Sequence, residues 1–265
     1  MLGSRPSTSI VGLWGAAVST APEAPTAAVL IIGDEILSGR TKDANLAAIA
    51  EWAGAMGLDL REARIVADIE DDIVAAINAL RTRYAYVFTT GGIGPTHDDI
   101  TADAVAKAFG VPIGHHPQAV RILEDYFAEV GREPNEARMR MARMPEGAVL
   151  IENAVSRAPG FRIGNVFVMA GIPRVMTAML DSISRMIEAG RPMLSASVEV
   201  EAAEGDIAGP LKVIQARHGG VVIGCYPRQQ GKRFCATVVL RARDGAILDG
   251  AAAEVHAMAE RFGKA

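Results

Sequence analysis

The chain has 265 residues, half of them hydrophobic and 22% charged, with Lys+Arg 27 against Asp+Glu 31 and a net charge of −4. This balance excludes a disordered or collagen-like chain and an overall basic field that would gather nucleic acid or anionic lipid. Two cysteines, Cys225 and Cys235, exclude a disulfide framework and a four-ligand zinc cluster, and they point to a reducing, cytoplasmic setting.

Residues 1–26 carry a broken apolar stretch followed by Ala21-Pro-Glu-Ala-Pro25. The stretch is interrupted by Gly12 and Gly15, so a flexible extension is expected rather than a secretory leader. Nowhere does an apolar run reach the ~18 residues of a membrane span. From Ala27 the pattern changes: Ala28 to Ile32 is a continuous apolar run that reads as a buried strand feeding a loop at Gly33-Asp34-Glu35. A helix is expected after Thr41 with Gly57 as its stop, a second strand over Leu58 to Val66, and a second helix over Ile69 to Leu80. Tyr84 to Thr89 reads as a third strand ending in Thr90-Gly-Gly-Ile-Gly94, followed by a helix over Ile100 to Phe109.

Further helices are expected at Pro117 to Val130, Glu136 to Met144 and Ile172 to Ala189. A hairpin over Phe161 to Met169 turns at Gly164-Asn165. His115-His116 reads as a turn, and Met139, Met141 and Met144 as packing residues. Alternating strands and helices predict a three-layer α/β/α domain on a mostly parallel sheet, over residues 27–192. The order strand, helix, two strands, helix after Arg191 predicts a second, smaller α+β domain over 193–265. In it, Cys225 and Cys235 should be buried thiols on neighbouring strands, and Arg228 with Lys232-Arg233 a solvated hairpin.

In an open parallel sheet, ligands bind at the carboxyl ends of the strands, where strand order reverses. Two loops are suited to that place, Gly33 to Thr41 and Thr90 to Thr101. The glycines of the second let backbone N–H groups approach an anion, which the next helix N-terminus also favours; a tight turn is the plainer reading of the same glycines. Asp34, Glu35, Asp98 and Asp99 crowd these loops. One of Asp98 and Asp99 fits a helix cap, but four acids round a phosphate require a cation between them. A metal–phosphate site follows, with Asp34, Asp98 and Asp99 as candidate metal ligands or bases for a divalent ion such as Mg²⁺. His97, inside the loop, is a lesser candidate.

Gly33-Asp-Glu-Ile-Leu-Ser-Gly-Arg-Thr41 with Asp43 and Asn45, and Gly91-Gly-Ile-Gly-Pro-Thr-His-Asp-Asp-Ile-Thr101, are similar to the molybdopterin-binding-domain superfamily. More closely, they resemble the amino-terminal domain of the competence/damage-inducible protein A (CinA) family. The similarity continues through Asn153 to Gly160 and Ala170-Gly-Ile-Pro173. The resemblance implies a homo-oligomer (dimer or trimer) and a small-molecule nucleotide or pterin as ligand. It implies metal-dependent cleavage of the ADP-ribose pyrophosphate bond. The alternatives are molybdopterin binding or adenylyl transfer, or a pterin- or nucleotide-binding module without turnover. Asp34, Asp99 and Thr101 match acidic and hydroxyl positions of the family motifs. The resemblance also carries Gly33, Glu35, Ser38, Thr41, Asn45, Thr90, Gly91, Gly92, Gly94, Pro95, Thr96, Gly171 and Pro173 over as ligand-binding positions. Ala170, where relatives often have proline, and Ile93 depart from the pattern. The deamidase region of longer family members does not occur before Ala265, so deamidation is not expected of this chain.

Overall fold

The computed structural model describes residues 24–230 and 233–262. The expected extension therefore lies, up to residue 23, outside the described residues, as does Lys232. Strand β1 (Thr26–Ile32) is buried on both faces, which is why its sequence is uninterruptedly apolar. Ala28, Leu30 and Ile32 face one core, while Ala27, Val29 and Ile31 face the other. β1 begins slightly before the expected boundary at Ala27, and the Pro25 carbonyl already accepts from Asp59 N–H.

A six-stranded sheet is ordered β2-β1-β3-β8-β7-β6, built from β2 (Asp59–Val66), β1, β3 (Tyr86–Thr90), β8 (Val166–Met169), β7 (Gly160–Ile163) and β6 (Val149–Ile151). The first four are mutually parallel, and the last two add antiparallel at the far edge. Helices α3 (Glu70–Arg81), α4 (Thr101–Phe109) and α5 (Pro117–Glu129) cover one face through Ile73, Ala104 and Leu123. Helices α2 (Asn45–Ala55) and α7 (Pro173–Ile183) cover the other through Ile49 and Met176. This is the three-layer, mostly parallel architecture that the periodicity predicts. Since β1 lies between β2 and β3, the chain reverses its direction of sheet growth there. Both candidate loops leave from the carboxyl ends of β1 and β3, at the switch point where a ligand crevice forms.

Several local expectations need correction. Gly33 to Thr41 is not wholly a loop, because Asp34–Leu37 makes one helical turn, α1. The helix expected over Glu136 to Met144 is only α6 (Glu136–Met139), followed by a 3-10 turn at Arg140–Ala142 and strand β5 (Arg143–Pro145). Pro145 biases Met144 toward extended backbone, and β5 pairs with β4 (Ile113–His115). His115 thus sits in a strand rather than a turn, and His116 precedes Pro117, the first residue of α5. Helix α7 stops at Ile183, short of Ala189. There the Ser184 hydroxyl donates to the Leu180 carbonyl and accepts from Trp52 Nε1, a side-chain bond that competes with helix continuation.

Past Arg191, strands β9 (Leu194–Val200), β10 (Val222–Gln230) and β11 (Arg233–Ala242) form a separate antiparallel sheet, ordered β10-β11-β9. Helices α8 (Glu204–Arg217) and α9 (Gly245–Phe262) cover one of its faces through Ile207, Leu211, Val255 and Met258. Cys225 and Cys235 are half-buried, not buried. Ala236, Val238 and Leu240 of β11 belong to the helix-covered core, so alternation turns Cys235 to the uncovered face, while Cys225 lies on the edge strand. Desolvation pushes the Cys225 thiol up. Arg228 is exposed, as expected of a solvated hairpin.

The second sheet is tied to the first around Gly57. Gly57 (φ +71°) brings its backbone so close to Gly190 that a Cβ would stand 2.3 Å from the Gly190 carbonyl carbon. Arg243 donates to the carbonyls of Gly57 (3.0 Å), Arg191 and Leu58. Hydrogen bonds from a charged donor contribute about 1.5–3 kcal/mol. Arg243→Ala is therefore expected to lower the melting temperature by several degrees and to speed amide exchange in residues 194–262. Unchanged exchange there would show that the joint does not depend on Arg243.

Candidate active site

Between the carboxyl ends of β1, β3 and β8 lies a cavity of about 630 Å³, within the range of small-molecule sites. Of the sequence-predicted residues, Glu35, Gly91, Gly92, Gly94, Pro95, Asp99, Gly171 and Pro173 line it. Leu123, Tyr126, Phe127 and Met141 form an apolar and aromatic wall opposite, and Ser156 to Pro159 close a third side without Arg157. Thus two motifs some eighty residues apart in sequence share one wall, by way of the parallel pairing of β3 with β8.

The glycine loop is held in an unusual backbone. Gly91 and Gly92 have φ +109° and +65°, and a Cβ on Gly91 would stand 2.0 Å from the Ile32 carbonyl oxygen. Thr101, fully buried, donates from its hydroxyl to the Gly91 carbonyl and from its N–H to the Gly92 carbonyl, 3.0 Å each. Thr101 is therefore a strut beneath the loop, and it does not line the cavity. Asp99 accepts from the N–H (2.8 Å) and the hydroxyl of Thr96, closing the second half of the loop. Pro95, Thr96, His97 and Asp98 are exposed.

Asn45 and Thr90 also lie underneath rather than inside. Asn45 Nδ2 donates to Thr90 Oγ1 (2.9 Å) and to the Gly171 carbonyl (2.7 Å), while the Thr90 hydroxyl donates to the Ala170 carbonyl. This buried clamp fixes the 170–173 loop over the cavity. Asn45→Ala is expected to lower stability by about 1–3 kcal/mol, since it leaves buried partners unsatisfied. It should also loosen ligand binding through the displaced Gly171; a variant with wild-type stability would contradict the clamp. Ser38 and Thr41 are exposed and do not reach the cavity. Asp43 accepts from Asn45 N–H and Leu46 N–H at the start of α2. Asn153 builds the third side, donating to the Ser156 hydroxyl and the Ala158 carbonyl and accepting from Val155 and Ser156 N–H.

The acids are arranged round a residue the sequence reading missed. Asp68, just past β2, accepts from the Asp34 N–H at 2.9 Å and stands 3.6 Å from where a Gly92 Cβ would be. Burial pushes its carboxyl up, and the negative charges of Asp34, Glu35 and Asp98 push it further, against the opposing Asp34 N–H. The rule that directed attention to the ends of the first and third strands applies equally to the second, so the signal was present. Asp98, by contrast, is held down by the Thr96 hydrogen bond, and His97 beside it acts the same way.

Among the described residues, no three His, Cys, Asp or Glu side chains converge as a metal-binding cluster, so Asp34, Asp98 and Asp99 are not preassembled as a trio. Asp99 is engaged with Thr96, while Asp34 gives its backbone N–H to Asp68. The donor set is nonetheless one of hard carboxylate oxygens, and the charges of Asp34, Glu35 and Asp98 add to the burial that raises Asp68. It suits a Mg²⁺-like ion, which binds through one or two carboxylates plus ligand phosphate oxygens and keeps several waters.

Fold and site together define a switch-point α/β domain with a glycine loop beside a mostly apolar cavity. Residues 28–189 match the family model described as a probable molybdopterin binding domain, and residues 192–262 match a model of the middle domain of FAD synthase. A protein of Pyrobaculum calidifontis is 32% identical over 77% of this chain and 81% of its own length. A CinA-like protein of Desulfosudis oleivorans is 38% identical over 59% of this chain, which spans 39% of that relative. The solved structure of the protein CinA, of unknown function, from Thermoplasma acidophilum is 31% identical. It covers 62% of this chain and 98% of its own, with a TM-score of 0.57. The chain belongs to the family of probable molybdopterin binding domains, in its CinA-like branch. Among the described residues no helix is long and apolar enough to cross a membrane.

Proposed function

We propose that this chain is a metal-dependent pyrophosphatase acting on ADP-ribose or a related dinucleotide. The observation that carries the reading is the acidic edge of the glycine loop: Glu35 and Asp99 line the cavity and Asp68, bonded to the Asp34 N–H, stands behind Gly92, while another wall is apolar and aromatic. Such a site pairs a charged, hydrated end for a diphosphate with a dry wall for a ring. The middle-domain model of FAD synthase matches residues 192–262, outside the cavity, and makes flavin adenine dinucleotide one related dinucleotide to test.

In this mechanism the amides of Gly91 to Gly94 bind phosphate oxygens, where the absence of side chains lets the ligand approach. One or both of Asp34 and Asp98 would hold a divalent cation, which when bound would neutralise charge developing on the phosphates. Asp99, the Asp that lines the cavity, orients a water and takes its proton as that water adds to phosphorus. The P–O–P bond breaks, and ADP-ribose leaves as AMP and ribose 5-phosphate. Tyr126, Phe127 and Met141 pack against the ring and exclude bulk water.

The family description and the apolar wall favour a second reading, molybdopterin binding with or without adenylyl transfer. Titration of ADP-ribose, flavin adenine dinucleotide and a pterin surrogate, each with and without Mg²⁺, separates the two. Metal-enhanced binding of the dinucleotides is expected. Metal-independent binding of the pterin alone would overturn the proposal in favour of the second reading.

A further inference from the structure

The charged residues that line the main cavity are Glu35 and Asp99, both acidic, with no Lys or Arg among them. A diphosphate carried there needs a cationic partner from the protein as well as loop amides. Directly behind Gly92 to Gly94 and Asp99 lies a recess of about 20 Å³, lined by Asp103, Arg140 and Arg143. It shares Gly92, Ile93, Gly94, Asp99, Met141 and Pro159 with the main cavity, so the two adjoin across the loop. The recess is large enough for a water, not for a phosphate group. The two arginines thus stand next to the glycine loop rather than within the cavity.

The two arginines are not equivalent. Arg143 donates to Asp103 at 2.7 Å, which satisfies that carboxylate. Arg140 stands 3.9 Å from the other Asp103 oxygen, outside hydrogen-bond distance, and its Nε is buried without any hydrogen-bond partner. Two cations share one ion-pair partner, because Asp99, the other acid of the recess, is engaged with Thr96. An unpaired donor of this kind is costly to bury unless an acceptor arrives. Arginine, with its planar fork of donors, is suited to receive a phosphate oxygen pair.

We propose that Arg140 is a diphosphate-binding residue, leaving its loose contact with Asp103 to take a phosphate at the glycine loop while Arg143 keeps Asp103 paired. The inference rests on the function proposed above only in using the same cavity, and it names the ligand class as a diphosphate rather than a monophosphate. Binding of inorganic pyrophosphate and of inorganic phosphate, each in the presence of Mg²⁺ at fixed ionic strength, tests it without requiring turnover. Wild-type protein is expected to bind pyrophosphate at least tenfold more tightly than phosphate. Arg140→Gln should erase that preference at an unchanged melting temperature, and Arg140→Lys, which keeps charge without the fork, should recover part of it. Arg143→Gln should instead lower the melting temperature, and Arg217→Gln, on α8, should change neither. A preference that survives in folded Arg140→Gln, or is absent from wild type, overturns the assignment. Loss of the preference in Arg140→Gln, in a wild type that does not cleave ADP-ribose, would sustain Arg140 and refute the pyrophosphatase reading.

Discussion

Asp99→Asn is expected to lower metal-dependent cleavage by roughly 10²–10⁴-fold, the span of a general base, while the protein melts within a few degrees of wild type. The asymmetry follows from the two tasks of this side chain. Asparagine keeps the shape and one acceptor oxygen, so it can still receive a hydrogen bond from Thr96, which now fixes the loop. It has no negative charge to attract a cation and no basicity to accept a proton from water. The measurement is initial rate against metal concentration, with a melting curve on the same sample. A variant within twofold of wild type would show that Asp99 is only the closing bond of the loop.

Gly92→Val is expected to abolish ligand binding and to destabilise the protein substantially as well. At φ +65° a β-branched residue is strained, by about 1–3 kcal/mol. The new Cβ would also stand 2.2 Å from Thr101 Oγ1, so the strut beneath Gly91 must shift. Losing that buried hydrogen bond costs roughly another 1–3 kcal/mol, a large share of the ~5–15 kcal/mol of a typical domain. The geometry makes loop shape and fold stability one problem, because the residue that supports the loop also starts α4. Calorimetric titration of ADP-ribose, restricted to temperatures at which the variant is folded, tests this. Unchanged affinity would place the phosphate site elsewhere.

How much of this was legible in the sequence differs from residue to residue. The unbroken run Ala28 to Ile32 could only be a strand covered on both faces, and the glycines after Thr90 could be placed at its neighbour's carboxyl end. Those two inferences locate the cavity. Asp68 escaped notice because β2 alternates between exposed and half-buried positions and ends without glycine; only its parallel pairing with β1 brings it to Asp34. The wall formed by Leu123, Tyr126 and Phe127 escaped for another reason. Helical spacing shows that α5 has a buried face, not what that face meets. The Asn45–Thr90–Gly171 clamp joins positions 45 and 126 residues apart, and no local pattern encodes such a contact. Thr101 shows the converse: a hydroxyl that the motif singles out as ligand-binding, whose bonds are spent on the backbone.

The most direct test is mass-spectrometric detection of products from ADP-ribose in ¹⁸O-labelled water, with Mg²⁺ and with chelator. The account predicts AMP and ribose 5-phosphate in equal amounts, one ¹⁸O in one of the two phosphates, and no product with chelator. Intact ADP-ribose after prolonged incubation with metal, at a concentration where binding is saturated, would contradict it.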